Sequence, residues 1–107
     1  WFGYKRFMII DLDAHQGNGH ERDHRDKSKF YIIDVYNHRI YPGDDVATPF
    51  ISQDVVVHRH MSDEEYLAET QHALIEGFTE FRPDFVVYNA GTDCMVGDPL
   101  GNLKISQ

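Results

Sequence analysis

Two acids and a histidine follow the first apolar run of the sequence. Residues 7–10 lead directly into Asp11, Asp13 and His15, which are spaced by two. Side chains alternate between the two faces of an extended strand, so we expect these three to point the same way if the strand continues to His15. Carboxylate oxygens and imidazole nitrogens are common ligands of zinc and similar metals. The spacing therefore predicts one half of a metal site.

A further acid follows another apolar run, far along the chain. Residues 85–88 precede Asn-Ala-Gly-Thr-Asp, which ends at Asp93. In open parallel α/β sheets, ligands lie beyond the carboxyl ends of the strands, so we expect Asp93 to join Asp13 and His15. Three protein ligands leave a tetrahedral zinc with one open position for water or substrate. Two carboxylates and one imidazole would also accept Fe(II).

The elements that must position these residues alternate between strands and helices. Apolar stretches without alternation are typical of strands buried on both faces of a parallel sheet. Three such stretches and one shorter valine-rich stretch predict strands at residues 7–10, 30–33, 54–58 and 85–88. We expect Asp34 to end the second strand, and residues 20–29 to form a short charged helix with His20 and His24 at the surface or in packing. The predicted fold class is α/β, with a mainly parallel sheet flanked by helices.

One longer helix is indicated by its capping residues. Ser62 and Glu65 have the spacing of a capping box, and Pro83 ends the helix. An apolar stripe is expected to face the core, at Leu67, Thr70, Leu74, Phe78 and Phe81. The helix leads into residues 85–88, which predicts a strand parallel to its neighbours.

A pair of histidines lies near the end of the third predicted strand. His58 and His60 have a spacing that two metal ligands on a strand can share. They have no carboxylate partner nearby in the sequence. We therefore interpret them as an exposed strand terminus.

Composition excludes several classes of protein. The chain has 107 residues, of which 41% are hydrophobic, and this favours packed structure over disorder. The net charge of −8 argues against nonspecific binding to nucleic acid or to anionic membranes. No apolar run approaches the ~20 residues that span a bilayer. Cys94 is the single cysteine, and the sequence begins with Trp1 and has no stop signal, so we expect no internal disulfide and an internal fragment of a longer protein.

The chemistry-bearing segments together resemble a known family. They are Asp-Leu-Asp-Ala-His-Gln-Gly-Asn-Gly at residues 11–19, Tyr-Pro-Gly-Asp at residues 41–44, and Asn-Ala-Gly-Thr-Asp with Gly-Asp-Pro-Leu-Gly at residues 89–101. These segments resemble the zinc-dependent histone deacetylases, and most closely the class IV members. The resemblance implies a fragment of a three-layer arginase/deacetylase-type fold. Residues 1–107 would be the central part of a catalytic domain that lacks its N- and C-terminal parts.

The resemblance also implies roles for single residues. Asp13, His15 and Asp93 would bind zinc, and Asp11 would support the site beside a structural potassium ion close to Asp13 and His15. Asn18 would orient a general-base histidine. Tyr41 matches the wall of the tunnel that admits the acylated lysine.

Two catalytic features of the family have no match in the sequence. They are a tandem histidine pair, which supplies the base, and a tyrosine that hydrogen-bonds the substrate carbonyl in the transition state. The chain therefore carries the metal ligands without these catalytic residues. We expect the 107 residues alone to be inactive.

The implied activity is hydrolysis of N-acyl-lysine amides on histones or other proteins, in chromatin regulation, within the nucleus or cytoplasm. The class IV likeness suggests that long acyl chains are the preferred substrates.

One alternative is an arginase- or agmatinase-like metal enzyme, which would need a further ligand where Gly17 stands. Another is a truncated, noncatalytic product that acts as a binding fragment. The oligomeric state is left open.

Overall fold

Four parallel strands form the scaffold of the chain. A computed structural model, which describes residues 3–107, arranges them in the order β3-β2-β1-β4. Their bounds are β1 Phe7–Asp11, β2 Phe30–Tyr36, β3 Gln53–Val56 and β4 Phe85–Asn89. Every neighbouring pair runs parallel. The predicted α/β class and the parallel sheet are therefore confirmed.

The register aligns three polar residues in one row at the carboxyl edge of the sheet. Asp11 at the end of β1 lies opposite Asp34 of β2 on one side and Asn89 of β4 on the other. The backbone N–H of Leu12 still donates to the carbonyl of Asn89, at 3.1 Å. The loops that follow β1 and β4 consequently leave the sheet side by side, as the carboxyl ends of adjacent parallel strands must.

Three helical segments accompany the sheet: α1 at Asn18–Asp23, a 3-10 helix at Thr48–Phe50, and α2 at Asp63–Phe81. The predicted capping box of α2 is confirmed, because Glu65 N–H donates to Ser62 Oγ at 3.2 Å and Ser62 N–H donates to Glu65 Oε2 at 3.3 Å. Arg82 follows the helix in a left-handed conformation, with φ of 50°. Among residues 3–107, no helix has the length and apolar character needed to cross a membrane.

The predicted stripe of α2 is correct for Thr70, which is buried, and for Leu74 and Phe81, which pack against the core, but wrong for Leu67 and Phe78. Leu67 is 63% exposed and Phe78 is 44% exposed. The face that packs on the sheet carries smaller or polar residues, namely Tyr66, Thr70, Ala73 and Gly77. At Gly77 the helix comes so close to β2 that an added Cβ would lie 2.8 Å from Ile33 Cδ1. Only a small residue fits where the helix lies this close to the sheet. A pattern of hydrophobic residues in the sequence does not reveal such positions.

Three predicted boundaries also need correction. The third strand ends at Val56 rather than at residue 58, so His58 and His60 lie beyond it. The second strand does not end at Asp34 but continues to Tyr36, and Asp34 is completely buried within it. The charged segment at residues 20–29 forms helix only as far as Asp23, and this helix begins earlier, at Asn18. Asp34 can remain inside the strand because its carboxyl group accepts a hydrogen bond from Gly17 N–H at 2.8 Å.

β4 is apolar yet exposed on both faces. The four residues Phe85, Val86, Val87 and Tyr88 are between 38% and 59% exposed. β4 is an edge strand of the sheet formed by residues 3–107, whereas β1 and β2 lie inside it. The expectation that every continuously apolar stretch would be buried on both sides is therefore correct for β1 and β2 and wrong for β4.

Candidate metal centre

Asp13, His15 and Asp93 meet at the carboxyl edge of the sheet. His15 Nδ1 lies 2.7 Å from Asp93 Oδ2 and 3.0 Å from Asp13 Oδ1. One potential ligand atom from each residue lies within 4.8 Å of the others. The structure thus brings together residues separated by 78 positions in the sequence. All three are partly buried, so solvent can still reach them.

Turn hydrogen bonds, rather than strand alternation, orient these side chains. β1 ends at Asp11, so the expectation that one extended strand presents Asp11, Asp13 and His15 on a common face is wrong. The chain bends instead, and His15 N–H donates to Asp13 Oδ1 at 2.8 Å. Ala14 N–H donates to Asp93 Oδ1 at 2.7 Å, which ties the loop after β1 to the loop after β4. Each carboxylate is thereby fixed by a backbone donor.

Two glycines let the loops approach each other. A Cβ added to Gly91 would lie 2.8 Å from the backbone N of Asp13, and one added to Gly101 would lie 2.8 Å from the backbone carbonyl carbon of Asp93. Neither position has room for a side chain. Glycine is therefore required for packing beside two of the candidate ligands. No residue pattern in the sequence indicated this role, although both glycines belong to the segments that resemble the family.

The charges of the cluster favour a cation. Burial by itself would lower the pKa of His15, but hydrogen bonds and charges from Asp13 and Asp93 outweigh burial and raise that pKa above 6.5. Burial would raise the pKa of Asp13, but the backbone and side chain of His15 outweigh it and hold that pKa below 3.8. The two carboxylates that stabilise an imidazolium would equally stabilise a divalent metal ion. Two carboxylate oxygens and one imidazole nitrogen match the three-ligand set of a catalytic zinc site.

Asp11 belongs to a second, neighbouring cluster. Its Oδ2 lies 2.8 Å from His20 Nε2, and its Oδ1 accepts hydrogen bonds from Asn89 Nδ2 at 2.8 Å and from Asp13 N–H at 3.0 Å. Asp11, His20 and Asp34 also offer atoms within 4.8 Å of one another that could hold an ion. Asp11 therefore supports the loop that carries Asp13. The potassium ion predicted beside Asp11 stays a prediction.

His20, within α1, and His24, which follows the helix, take different positions. His20 contacts Asp11, as described, and its side chain is 23% exposed. The ring of His24 packs against Phe30, with 4.4 Å between ring centroids. No sequence pattern places His20 beside the site, because the fold of the glycine turn determines the direction of its side chain.

Within residues 3–107, neither Asn18 nor Tyr41 forms a hydrogen bond with the three candidate ligands. Asn18 Nδ2 donates to Asp44 Oδ2 at 3.0 Å, and Arg22 donates to both oxygens of Asp44, at 2.7 and 2.8 Å. These two donors hold the pKa of Asp44 well below its usual range. Tyr41 is 79% exposed, beside a cis peptide bond to Pro42. The predicted roles of Asn18 and Tyr41 stay predictions, and Asp44 is a connection that the sequence did not reveal.

Gly17 has no space for the additional ligand that an arginase-like site would require. A Cβ at this position would lie 2.6 Å from Asp11 Oδ2 and 2.7 Å from His20 Cε1. Gly17 N–H also donates to Asp34. The turn is therefore packed around a glycine, and the geometry gives no support to a second metal bound from position 17.

A parallel α/β sheet with a carboxylate-imidazole cluster at its carboxyl edge is the architecture of the arginase/deacetylase fold. The HDA15 HD domain superimposes with a TM-score of 0.80 at 29% identity, over 97% of this chain and 33% of that chain. Acetylpolyamine aminohydrolase from Burkholderia pseudomallei also superimposes with a TM-score of 0.80, at 19% identity, over 96% of this chain and 33% of that chain. At this identity the likeness shows the fold alone.

Sequence comparison gives the family. The model of the histone deacetylase domain matches residues 2–107. The chain belongs to the histone deacetylase family. It is 54% identical over 101 residues to histone deacetylase 2 of Arabidopsis thaliana, covering 94% of this chain and 26% of that protein. It is 33% identical over 115 residues to histone deacetylase 18 of the same plant, covering 95% of this chain and 17% of that protein. The chain thus spans about a quarter or less of these two relatives.

Proposed function

We propose that the protein carrying this chain is a zinc-dependent lysine deacylase, which hydrolyses N-acyl-lysine amides on histones or other proteins. Membership of the histone deacetylase family supports hydrolysis of this kind. The observation that carries the proposal is the convergence of Asp13, His15 and Asp93 from two loops into one cluster. A zinc ion held there supplies Lewis-acid polarisation of the amide carbonyl and a water of lowered pKa.

The chain's own residues hold and position the cluster. Asp13, His15 and Asp93 provide the ligand atoms, and the backbone donors at Ala14 and His15 fix the two carboxylates. These donors occupy one oxygen of each carboxylate. Asp93 Oδ2 and His15 Nδ1, which lie 2.7 Å apart, would hold the ion together once no proton lies between them. Fe(II) is the alternative metal for the same set. A potassium ion beside Asp11 would neutralise the neighbouring acids and stabilise the bend between Asp11 and His15.

The remaining catalytic parts belong to the proposal as well. We assign the general base and the hydrogen-bond donor to the substrate carbonyl to segments outside these 107 residues. Tyr41, which is 79% exposed, is available to line the entrance for an acylated lysine side chain. The likeness to class IV members leads us to expect a preference for long acyl chains.

The test combines metal content with turnover. The natural protein at its full length should contain one zinc per chain and should release acetate or myristate from acyl-lysine histone peptides, with the long chain preferred. Replacing Asp93 by Ala should reduce bound zinc at least about tenfold and abolish measurable turnover. The 107-residue chain alone should give no turnover above that of its own Asp93→Ala variant.

Matched variants distinguish loss of the bound metal from a nonspecific effect of substitution on folding. Asp45 is an exposed acid, and His72 is an exposed histidine on α2. Asp45→Ala and His72→Ala should retain zinc and activity, whereas Asp13→Ala and His15→Ala should lose both. A protein that deacylates the peptides equally well after its zinc is removed and after Asp93→Ala would contradict the proposal.

A further inference from the structure

A cleft opens at the same edge of the sheet, beyond the ends of β2 and β3. It encloses about 560 Å³. Its lining consists entirely of polar residues: Asn37, Arg39, His58, Arg59, His60 and Asn102. The first two follow β2, and the next three follow β3. The cleft therefore lies beyond the carboxyl ends of two adjacent parallel strands, where open α/β sheets bind ligands.

The lining is basic in a chain that is strongly acidic. Arg39 and Arg59 stand beside two histidines, and none of the lining residues is an acid. The whole chain has a net charge of −8. Within residues 3–107, the guanidinium groups of Arg39 and Arg59 form neither an ion pair nor a hydrogen bond, whereas Arg22 is paired with Asp44. Both groups are solvent-exposed and available to a ligand.

Two turns give the cleft a defined shape. Asn37 is buried, with its backbone N–H donating to Ala14 O at 2.8 Å and its Nδ2 donating to Gly101 O at 3.3 Å. Its Oδ1 accepts from the N–H of Arg39 at 3.1 Å, which closes the first turn. Met61 N–H donates to the carbonyl of His58 at 3.0 Å and closes the second. The two arginines are therefore carried by hydrogen-bonded turns.

The chemistry of the lining selects the ligand. A volume of this size suits a small molecule, since such sites enclose about 300–1,000 Å³. Every residue that lines this cleft carries a polar side chain. Guanidinium groups bind phosphate oxygens through paired, charge-assisted hydrogen bonds, and imidazole and amide N–H groups can add further donors. We propose that this cleft binds a small phosphorylated metabolite carrying at least two phosphate charges.

The experiment uses the natural protein at its full length and inorganic pyrophosphate as the probe. Calorimetric titration should show saturable binding at one site, weakened by added salt as expected for an exposed ionic contact. The double substitution Arg39→Gln with Arg59→Gln should weaken that binding at least about tenfold, because charge-assisted hydrogen bonds are lost. Line broadening of the pyrophosphate ³¹P resonance should decrease in parallel.

A matched variant removes the same charge elsewhere. Lys5 and Lys29 are exposed and lie outside the cleft, each just before the amino end of a strand and so at the opposite edge of the sheet. Lys5→Gln with Lys29→Gln should leave pyrophosphate affinity within about twofold, since a strand of this length spans about 16 Å, further than a Debye length. If both double variants weakened pyrophosphate binding equally, net charge alone would explain the effect, and the proposed binding site would be wrong.

Three further results would also overturn the proposal. Pyrophosphate binding that survives the arginine substitutions would indicate capture by the active-site metal or another surface. Equal affinity for tricarballylate would show a cleft that does not distinguish phosphate from carboxylate. A phosphoserine peptide that binds at least ten times more tightly than pyrophosphate would assign the cleft to a protein-borne phosphate instead of a metabolite.

Discussion

The backbone of Gly91 lies directly against Asp13, so close that a Cβ on Gly91 would come within 2.8 Å of both the N and the Cβ of Asp13. Gly91 belongs to the loop after β4, and Asp13 belongs to the loop after β1. The obstruction includes backbone atoms, which cannot rotate away as the end of a long side chain can. This contact fixes the distance between the two loops that carry the candidate metal ligands.

Replacing Gly91 by Ala should therefore weaken metal binding without removing a ligand. The added methyl group must push the two loops apart, so that Asp13 and Asp93 no longer reach one ion together. We expect zinc affinity to fall by about tenfold or more, which is typical when the support of a metal ligand is disturbed. Competition with a chromophoric chelator measures the change.

Gly19 provides the control for that substitution. An added Cβ at Gly19 meets no atom within 4 Å, and this glycine lies within α1, where alanine is the better helix former. Gly19→Ala should keep the zinc affinity of the natural sequence. If Gly91→Ala also bound zinc normally, the close contact between the loops would not be what positions Asp13.

The sequence predicted that Asp13, His15 and Asp93 would lie close together, but it did not predict the contacts that hold them there. The strands before Asp11 and Asp93 could be recognised from continuous apolar runs, and parallel strands place their carboxyl ends at one edge. Strand alternation was the wrong reason for grouping Asp13 with His15, because the chain bends after Asp11. The donors at Ala14 and His15 are backbone groups, and no side-chain pattern reports where they point.

A buried pair of acids gives the protein a specific pH dependence. Asp34 and Glu21 are both completely buried. Burial, together with a hydrogen bond to Glu21, raises the pKa of Asp34 from 3.8 to about 10. A proton carried by Asp34 can bridge its Oδ1 to Glu21 Oε1, two buried oxygens that otherwise have no partner within the described residues.

The sign of the effect follows from proton uptake. The folded chain keeps this proton, whereas the unfolded chain releases it above pH 3.8, so the free energy of unfolding should decrease as pH rises from about 4 to about 10. The limiting slope for one proton is about 1.4 kcal/mol per pH unit. Asp34→Asn cannot ionise and keeps a donor toward Glu21. Its free energy of unfolding should depend less on pH. The difference in this free energy, variant minus natural sequence, should therefore be larger at pH 9 than at pH 5.

Denaturant unfolding across that pH range tests the expectation. The buffers should contain tetramethylammonium as their only added cation, because a small cation could bind beside Asp11 and Asp34 in place of the proton. Asp45→Asn changes an exposed acid and should reproduce the pH slope of the natural sequence. An Asp34→Asn variant with an unchanged slope would show that Asp34 is already ionised in the folded protein.

Asp34 also shows where sequence patterns fail. An acid after four apolar residues predicts the end of a strand, yet β2 continues through Asp34 to Tyr36. The acid is retained because Gly17 N–H and Glu21 come to it from the turn and helix after β1. Such partners are distant in sequence, so their contribution is visible only once the strands are paired. The exposed Leu67 of α2 is a similar case, since the close contact at Gly77 decides which face packs.

A further prediction concerns Asn18 and Asp44, whose contact is a neutral hydrogen-bond donor against a carboxylate at 3.0 Å. Asn18→Asp would place two carboxylates together and remove that hydrogen bond. We expect the free energy of unfolding at neutral pH to fall by about 1 kcal/mol, the usual value of one such bond, with repulsion adding to it. Asn18→Ala removes only the hydrogen bond and should be less destabilising than Asn18→Asp.

A double-mutant cycle isolates the repulsion. Asp44→Asn alone removes the partner of Arg22 and should destabilise the chain. In a variant that already carries Asn18→Asp, Asp44→Asn should lower the free energy of unfolding by a smaller amount, because it also removes the contact between two like charges. Additive effects of the two substitutions would show that residues 18 and 44 do not interact in solution.

The same Asn18→Asp variant tests the proposed deacylase activity through its pH profile. If residue 18 orients a general-base histidine from outside these 107 residues, a carboxylate there stabilises the imidazolium more than an amide does. The pKa of that histidine should rise, and the acidic limb of the profile of kcat/KM should move to higher pH. Asn18→Ser, which introduces no charge, should leave the limb in place even if it lowers stability. An Asn18→Asp enzyme that binds zinc normally and shows an unshifted acidic limb would exclude Asn18 as the residue that supports the base.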